Sequence, residues 1–109
     1  MKTNITDAVV CEFARRVRSV LGDKLHAIYL FGSRVRVDAP SDSDYDFLLE
    51  SIAKLSSLER DRVTDITVDI SGRNRVLMDV HYDLCAKMHG VQRFLTPFRA
   101  EVLSKGILL

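Results

Sequence analysis

"LFGSRVRVDAPSDSDYDFLL", from Leu30 to Leu49, holds a Gly-Ser pair, two arginines and then an apolar run, with Asp38, Asp42, Asp44 and Asp46 crowded into nine positions. Side chains of a strand point alternately to its two faces. Asp42, Asp44 and Asp46 therefore share a face if the strand extends far enough back. Carboxylates two positions apart have backbones about 6–7 Å apart. At an effective dielectric of about 20 they repel by about 2–3 kcal/mol. A bound divalent cation reverses that sign, and oxygen ligands of this kind suit Mg²⁺ or Mn²⁺, which lean on substrate phosphates.

Taken alone, "DSDYD" reads as a solvated acidic loop. The turn before it changes the reading. Gly32 lets a phosphate approach the backbone, and Ser33 adds a hydroxyl and an amide. Arg34 and Arg36 offer planar forks matched to phosphate oxygens. A phosphate cradle followed by paired carboxylates is the set of parts needed to hold a metal–nucleoside triphosphate. It is not a Walker P-loop, because no lysine follows the glycine.

Outward from this stretch the chain reads as helix, strand, loop, strand, helix, strand, helix. Residues 6–21 form a helix with Thr6 as N-cap, Ile5 as staple and Gly22 as stop; Val9, Val10, Phe13, Val17, Val20 and Leu21 lie on one face. "LHAIYLF" (Leu25 to Phe31) and "YDFLLE" are strands. "SSLERDRVTDITVDIS" is a second helix with a Ser56–Glu59 capping box, an apolar stripe of Leu55, Val63, Ile66 and Ile70, and Gly72 as its end. "RVLMDVHYDL" is a third strand. "GVQRFLTPFRAEVLSKG" is mostly helical with a break near Pro97, and "ILL" adds an edge strand or a cap. The expected fold is α/β (α+β), a small mixed sheet with helices packed on one face.

The 109 residues amount to one expected domain, residues 1–109, with enough apolar residues for a core. A formal net charge of +1 is too balanced for a protein that grips nucleic acid through a basic face, so direct nucleic-acid binding is not expected. Cys11 and Cys85 sit among apolar residues without metal-type spacing and read as buried thiols of a reducing compartment. No run approaches membrane-spanning length and no apolar leader opens the chain, so the expected location is cytoplasmic.

These residues resemble the signature of the polymerase β-like nucleotidyltransferases, most of all the minimal nucleotidyltransferase (MNT) branch often found beside a HEPN-domain toxin. Gly32 and Ser33 match the turn, and Ser43, Asp44 and Asp46 match the Ser-Asp-x-Asp step. The likeness extends to "VLMDVHY" and "LSKGILL". It implies that Asp44 and Asp46, rather than Asp42 and Asp44, are the metal-binding pair, with Asp42 an accessory acid or a loop residue. It implies a third acid on the third strand, where Asp79 matches better than Asp83. The catalytic and metal-binding set is then Asp44, Asp46 and Asp79; the nucleotide-binding set is Gly32, Ser33, Arg34, Arg36 and Ser43. His81 shares a face with Asp79 and reads as a structural histidine ahead of a substrate contact. Val37 departs from the family, which often has Gly there; a positive φ at that position would cost Val about 1–2 kcal/mol.

The implied activity is transfer of AMP from ATP, with two Mg²⁺ (or Mn²⁺) ions, to a hydroxyl, foremost a tyrosine of a cognate HEPN toxin in a type VII-like toxin–antitoxin pair. The alternatives are an antitoxin acting by binding alone, and the catalytic subunit of a two-chain small-molecule nucleotidyltransferase. A homo- or hetero-oligomer is compatible with each. The apolar C-terminal residues Val91, Phe94, Leu95, Phe98, Val102, Leu103 and Ile107 are the candidate docking surface.

Overall fold

The computed structural model describes residues 7–32, 44–85 and 105–109. What the sequence suggests for Ile5, for Ser33 to Ser43 and for the segment 86–104, including Pro97 and the docking residues Val91 to Leu103, lies outside these. Helix α1 (Ala8–Leu21) leads through a short 3-10 turn, Gly22–Lys24, into β1 (Leu25–Phe31). Strand β2 (Tyr45–Ser51), helix α2 (Ser57–Asn74), β3 (Met78–Leu84) and the edge strand β4 (Ile107–Leu108) follow. The sheet order is β3-β2-β1-β4. β1 runs antiparallel to both β2 and β4, while β2 and β3 are parallel and joined by the α2 crossover. The mixed sheet and the packed helices agree with the fold class read from the sequence.

Alternation sorts the sheet residues onto two faces. Ile28 and Leu30 of β1, Tyr45, Phe47 and Leu49 of β2, and Val80 and Tyr82 of β3 join Phe13 and Val17 of α1 and Val63, Ile66 and Ile70 of α2 in one core. Phe13 stacks on Phe47 with ring centroids 4.2 Å apart. Burying aromatic side chains of this size supplies a large share of a small core's stability. The opposite face of β2 carries Asp46, Leu48 and Glu50; Leu48 and Glu50 are buried as well, so β2 is covered on both faces over most of its length.

The helix ends differ from the sequence reading in two places. α1 is capped by Asp7, not Thr6: its Oδ1 accepts from the N–H of Val9 at 2.8 Å and of Val10 at 3.4 Å. Its Oδ2 accepts from the Tyr45 hydroxyl at 2.7 Å, a partner 38 residues away that selects this carboxylate as the cap. Gly22 ends the helix as expected, at φ 53 with its N–H donating to Arg18 O. α2 opens on the Ser56–Glu59 capping box but runs past Gly72 to Asn74. Arg75 takes the left-handed turn at φ 54 and donates its N–H to Ser71 O. Asn74 Nδ2 donates to Ile70 O at 2.8 Å, so side-chain and backbone donors close the last turn without a glycine.

Cys85 is buried but Cys11 is exposed, correcting the expectation of two buried thiols. It lies one residue off the buried stripe of α1, about 100° around the helix from Val10. On their outer faces α1 and α2 are tied by Arg16, which donates to Asp69 at 2.7 Å and to Glu12 at 3.1 Å, and by Arg73, which bridges the same two carboxylates.

The Asp7–Tyr45 bond joins the start of α1 to the start of β2 and yields a stability prediction. Tyr45→Phe should cost about 1 kcal/mol, the net worth of one hydrogen bond. Asp7→Ala should cost more, because it also removes the cap, itself worth about 1 kcal/mol. Urea denaturation of the single and double variants should give a coupling of about 0.5 kcal/mol or more. Purely additive losses would mean that the bond does not form in solution.

Candidate functional site

The parallel register of β2 and β3 sets Asp46 opposite Asp79, each the second residue of its strand. On the other side of β2, Asp46 pairs with Phe31, the last residue of β1, so Gly32 follows directly at the same edge. Gly32 has φ +79, and a Cβ there would collide with Oδ2 of Asp46. The sequence suggested this glycine for the approach of a phosphate. The geometry adds a requirement that needs no ligand: any side chain at residue 32 would displace the Asp46 carboxylate.

Backbone bonds fix the register. Tyr45 donates its N–H to Leu77 O at 2.9 Å, stitching the start of β2 to the residue before β3. Tyr45 is itself anchored at its hydroxyl and 3% exposed. The residue between the two aspartates of the Asp-x-Asp step is thus held at both ends, and the carboxylates project from a fixed segment.

Asp46 is half-buried, and its carboxyl is held above the usual carboxylate range. Burial is the main cause, followed by the charges of Asp79 and Asp44; His81 pulls the other way. Oxygen atoms of Asp46 and Asp79 and a ring nitrogen of His81 all lie within 4.8 Å of one another. Ligands of one ion bound at about 2.1 Å stand about 3.0 Å apart when adjacent and about 4.2 Å apart when opposite. The three donors lie close enough to converge on a single divalent cation once their side chains turn inward.

Asp44 is exposed at the residue before β2 and lines a cavity of about 170 Å³ with Leu77, Met78 and Asp79. Asp79 thus borders both the Asp44 cavity and the Asp46–His81 cluster. It is exposed near the start of β3. Ser33, Arg34, Arg36 and Ser43, with Asp42 and Val37, lie outside the described residues. His81, read from the sequence as a structural histidine ahead of a substrate contact, stands two positions after Asp79 on the same strand face and joins the Asp46–Asp79 cluster. Its ring sits 5.6 Å from that of Phe31, tilted by 50°.

A second cavity, of about 250 Å³, opens at the other end of β2 between Ser51, Lys54, Leu55, Arg60, Tyr82, Asp83 and Leu84. Arg60 lies over the Tyr82 ring, 4.6 Å from its centroid. No helix among the described residues is long and apolar enough to cross a membrane.

The sequence matches no protein-family profile and no curated protein. Solved structures do match. A protein assigned as a minimal nucleotidyltransferase is 27% identical, with 93% of this chain and 95% of that one covered at a TM-score of 0.55. The complex of a tri-AMPylated HEPN toxin from Shewanella oneidensis with its MNT antitoxin matches at 17% identity, covering 92% of this chain and 67% of that one, TM-score 0.58. A toxin–antitoxin structure with AMP-PNP matches at 19% identity, covering 86% and 69%, TM-score 0.54. With the helix order, the mixed sheet and the in-register aspartates already in place, the agreement over more than nine-tenths of the chain has one meaning: this chain has the minimal nucleotidyltransferase fold.

Proposed function

We propose that the chain is a metal-dependent nucleotidyltransferase that moves AMP from ATP to a tyrosine hydroxyl of a HEPN-type partner, as the antitoxin of a toxin–antitoxin pair. The observation that carries this reading is the Asp46–Asp79 pair, set in register and backed by Gly32 at one edge of a nucleotidyltransferase-fold sheet. The structural neighbours in complex with an AMPylated HEPN toxin and with AMP-PNP support the partner and the nucleotide.

Asp44, Asp46 and Asp79 would hold the cations, Mg²⁺ or Mn²⁺. When bound, such ions neutralise triphosphate charge and acidify the acceptor hydroxyl. Gly32, Ser33, Arg34, Arg36 and Ser43 would receive the phosphates. In the transfer the acceptor oxygen bonds to the α-phosphorus, the bond from that phosphorus to the β-bridging oxygen breaks, and pyrophosphate leaves with the electron pair. Asp79, the most open of the paired acids, takes the acceptor's proton. The fixed Tyr45 segment keeps Asp46 from turning away while substrates exchange.

Thermal melts test the metal site. Without metal, ionised Asp46 faces Asp79 and Asp44, and its folded-state pKa lies above the unfolded value. Its contribution is therefore fully present at low pH and lost as pH rises through the folded pKa. Asp46→Asn should melt higher than the parent at pH 7, and the advantage should vanish below the ordinary carboxylate range. With Mg²⁺–ATP the order should reverse, because a ligand at a hundredfold excess over Kd adds about 2.7 kcal/mol to the parent alone. An equal shift in both proteins would place the nucleotide elsewhere.

The transfer itself is read by co-expression with a candidate HEPN-domain partner and intact-mass measurement of that partner. The expected result is a gain of one or more AMP masses, absent with Asp46→Asn. An unmodified partner that is bound and silenced would instead make the chain an antitoxin by binding.

A further inference from the structure

The reading above leaves the identity of the cation open between Mg²⁺ and Mn²⁺. The donor set narrows it. Within the cluster of atoms no more than 4.8 Å apart, the third donor is an imidazole nitrogen of His81 rather than a carboxylate oxygen of Asp44. Mg²⁺ is a hard ion that favours oxygen and holds its waters tightly; Mn²⁺ shares its preference for carboxylates but, as a first-row transition ion, accepts an imidazole nitrogen more readily than Mg²⁺ does.

The surroundings of His81 favour a ligand role over a packing one. Its side chain leaves the same face of β3 as Asp79, not the face that joins the core of α1 and α2. In register it stands beside Leu48, itself buried and next but one to Asp46 on β2. The Phe31 ring lies 5.6 Å from the imidazole, tilted by 50°. Phe31 is also the residue that pairs with Asp46 in the β1–β2 ladder. One aromatic side chain thus limits the imidazole's rotation while its strand fixes the carboxylate. His81 is half-buried, so a ring nitrogen can reach the site while the ring edge stays packed.

We propose that His81 is a metal ligand, completing with Asp46 and Asp79 a two-carboxylate, one-histidine site that selects Mn²⁺ over Mg²⁺. The proposal rests on the metal-dependent reading of the same site, and its test separates the two.

The probe is Mn²⁺ alone, added to the full chain without nucleotide or partner. Pulsed electron paramagnetic resonance should show ¹⁴N coupling from a bound imidazole. His81→Gln should abolish that coupling. Loss of an outer-shell partner alone typically costs about 10–100-fold in affinity, so this variant should bind Mn²⁺ at least about tenfold more weakly, with Mg²⁺ binding little changed. Asp46→Asn should abolish Mn²⁺ binding. The chain has three histidines, so imidazole NMR of the unmodified chain is a check that needs no variant: substoichiometric Mn²⁺ should broaden the His81 ring signals first. Bound Mn²⁺ that depends on Asp46 but shows no ¹⁴N coupling, or coupling that persists in His81→Gln, would overturn the histidine proposal and leave the carboxylate site standing. Mn²⁺ binding indifferent to Asp46→Asn would overturn both.

Discussion

Two carboxylates face each other across adjacent parallel strands, and the strand starts are built to keep them there. Asp46 and Asp79 are register partners, and like charges opposite one another weaken a sheet. Left to itself, the β2–β3 seam would relax by rotating a side chain outward or by fraying. Neither is easy here. The Tyr45 N–H is bonded to Leu77 O and the Tyr45 hydroxyl to Asp7, so β2 is held from its first residue. Phe47, next in the strand after Asp46, is fully buried against Phe13. The segment stays in place, and burial of Asp46, followed by the charges of Asp79 and Asp44, holds its carboxyl above the usual range.

The helix dipoles bear on the same edge in opposite senses. α1 begins there, and its positive end is the one that Asp7 caps beside Tyr45. α2 ends in the turn that leads into β3, so its negative end approaches the residue before Asp79. Arg73 in the last turn and Arg75 at the cap offset that end. Arg73 is also shared with Glu12 and Asp69 in the cluster that ties α2 to α1. Exposed pairs of this kind contribute little individually. Their role in this frame is to set the two helices side by side over one sheet face, opposite the face from which Asp46 and Asp79 project.

Much of this was legible in the sequence because it is written locally. Strand alternation around Tyr45, Phe47 and Leu49 gave β2 its core face and fixed which side the aspartates take. The capping box at Ser56 and Glu59 and the stop at Gly22 are short-range signals, and both hold. What failed was decided at a distance. Thr6 and Asp7 are both good caps, and the hydroxyl of Tyr45 makes the choice. Gly72 looked like a helix end, but Arg75 accepts the left-handed turn and α2 continues. Cys11 reads as buried from its apolar neighbours in sequence, although it falls about 100° around the helix from Val10 and off the buried stripe. The neighbours of His81 were not legible either, because Phe31 and Asp46 come from two other strands, β1 and β2, and sheet order is not visible in a linear pattern.

The orientation of β1 explains why the candidate site lies where it does. In sheets built from parallel strands, ligands gather at the carboxyl ends. Here the acids lie at the amino ends of β2 and β3, the opposite edge. Antiparallel β1 makes this workable, because it delivers its own carboxyl end, and so the Gly32 turn, to that same edge. A parallel β1 would place Gly32 near Ser51, about 16 Å away at 3.3 Å per residue. The carboxyl ends of β2 and β3 carry an acid pair of their own, Glu50 opposite Asp83, but the cavity there is lined by Lys54 and Arg60 and no glycine turn of β1 faces it. Reversing a single strand thus brings a left-handed glycine and two opposed aspartates within contact, a combination that a sheet of one strand direction does not supply.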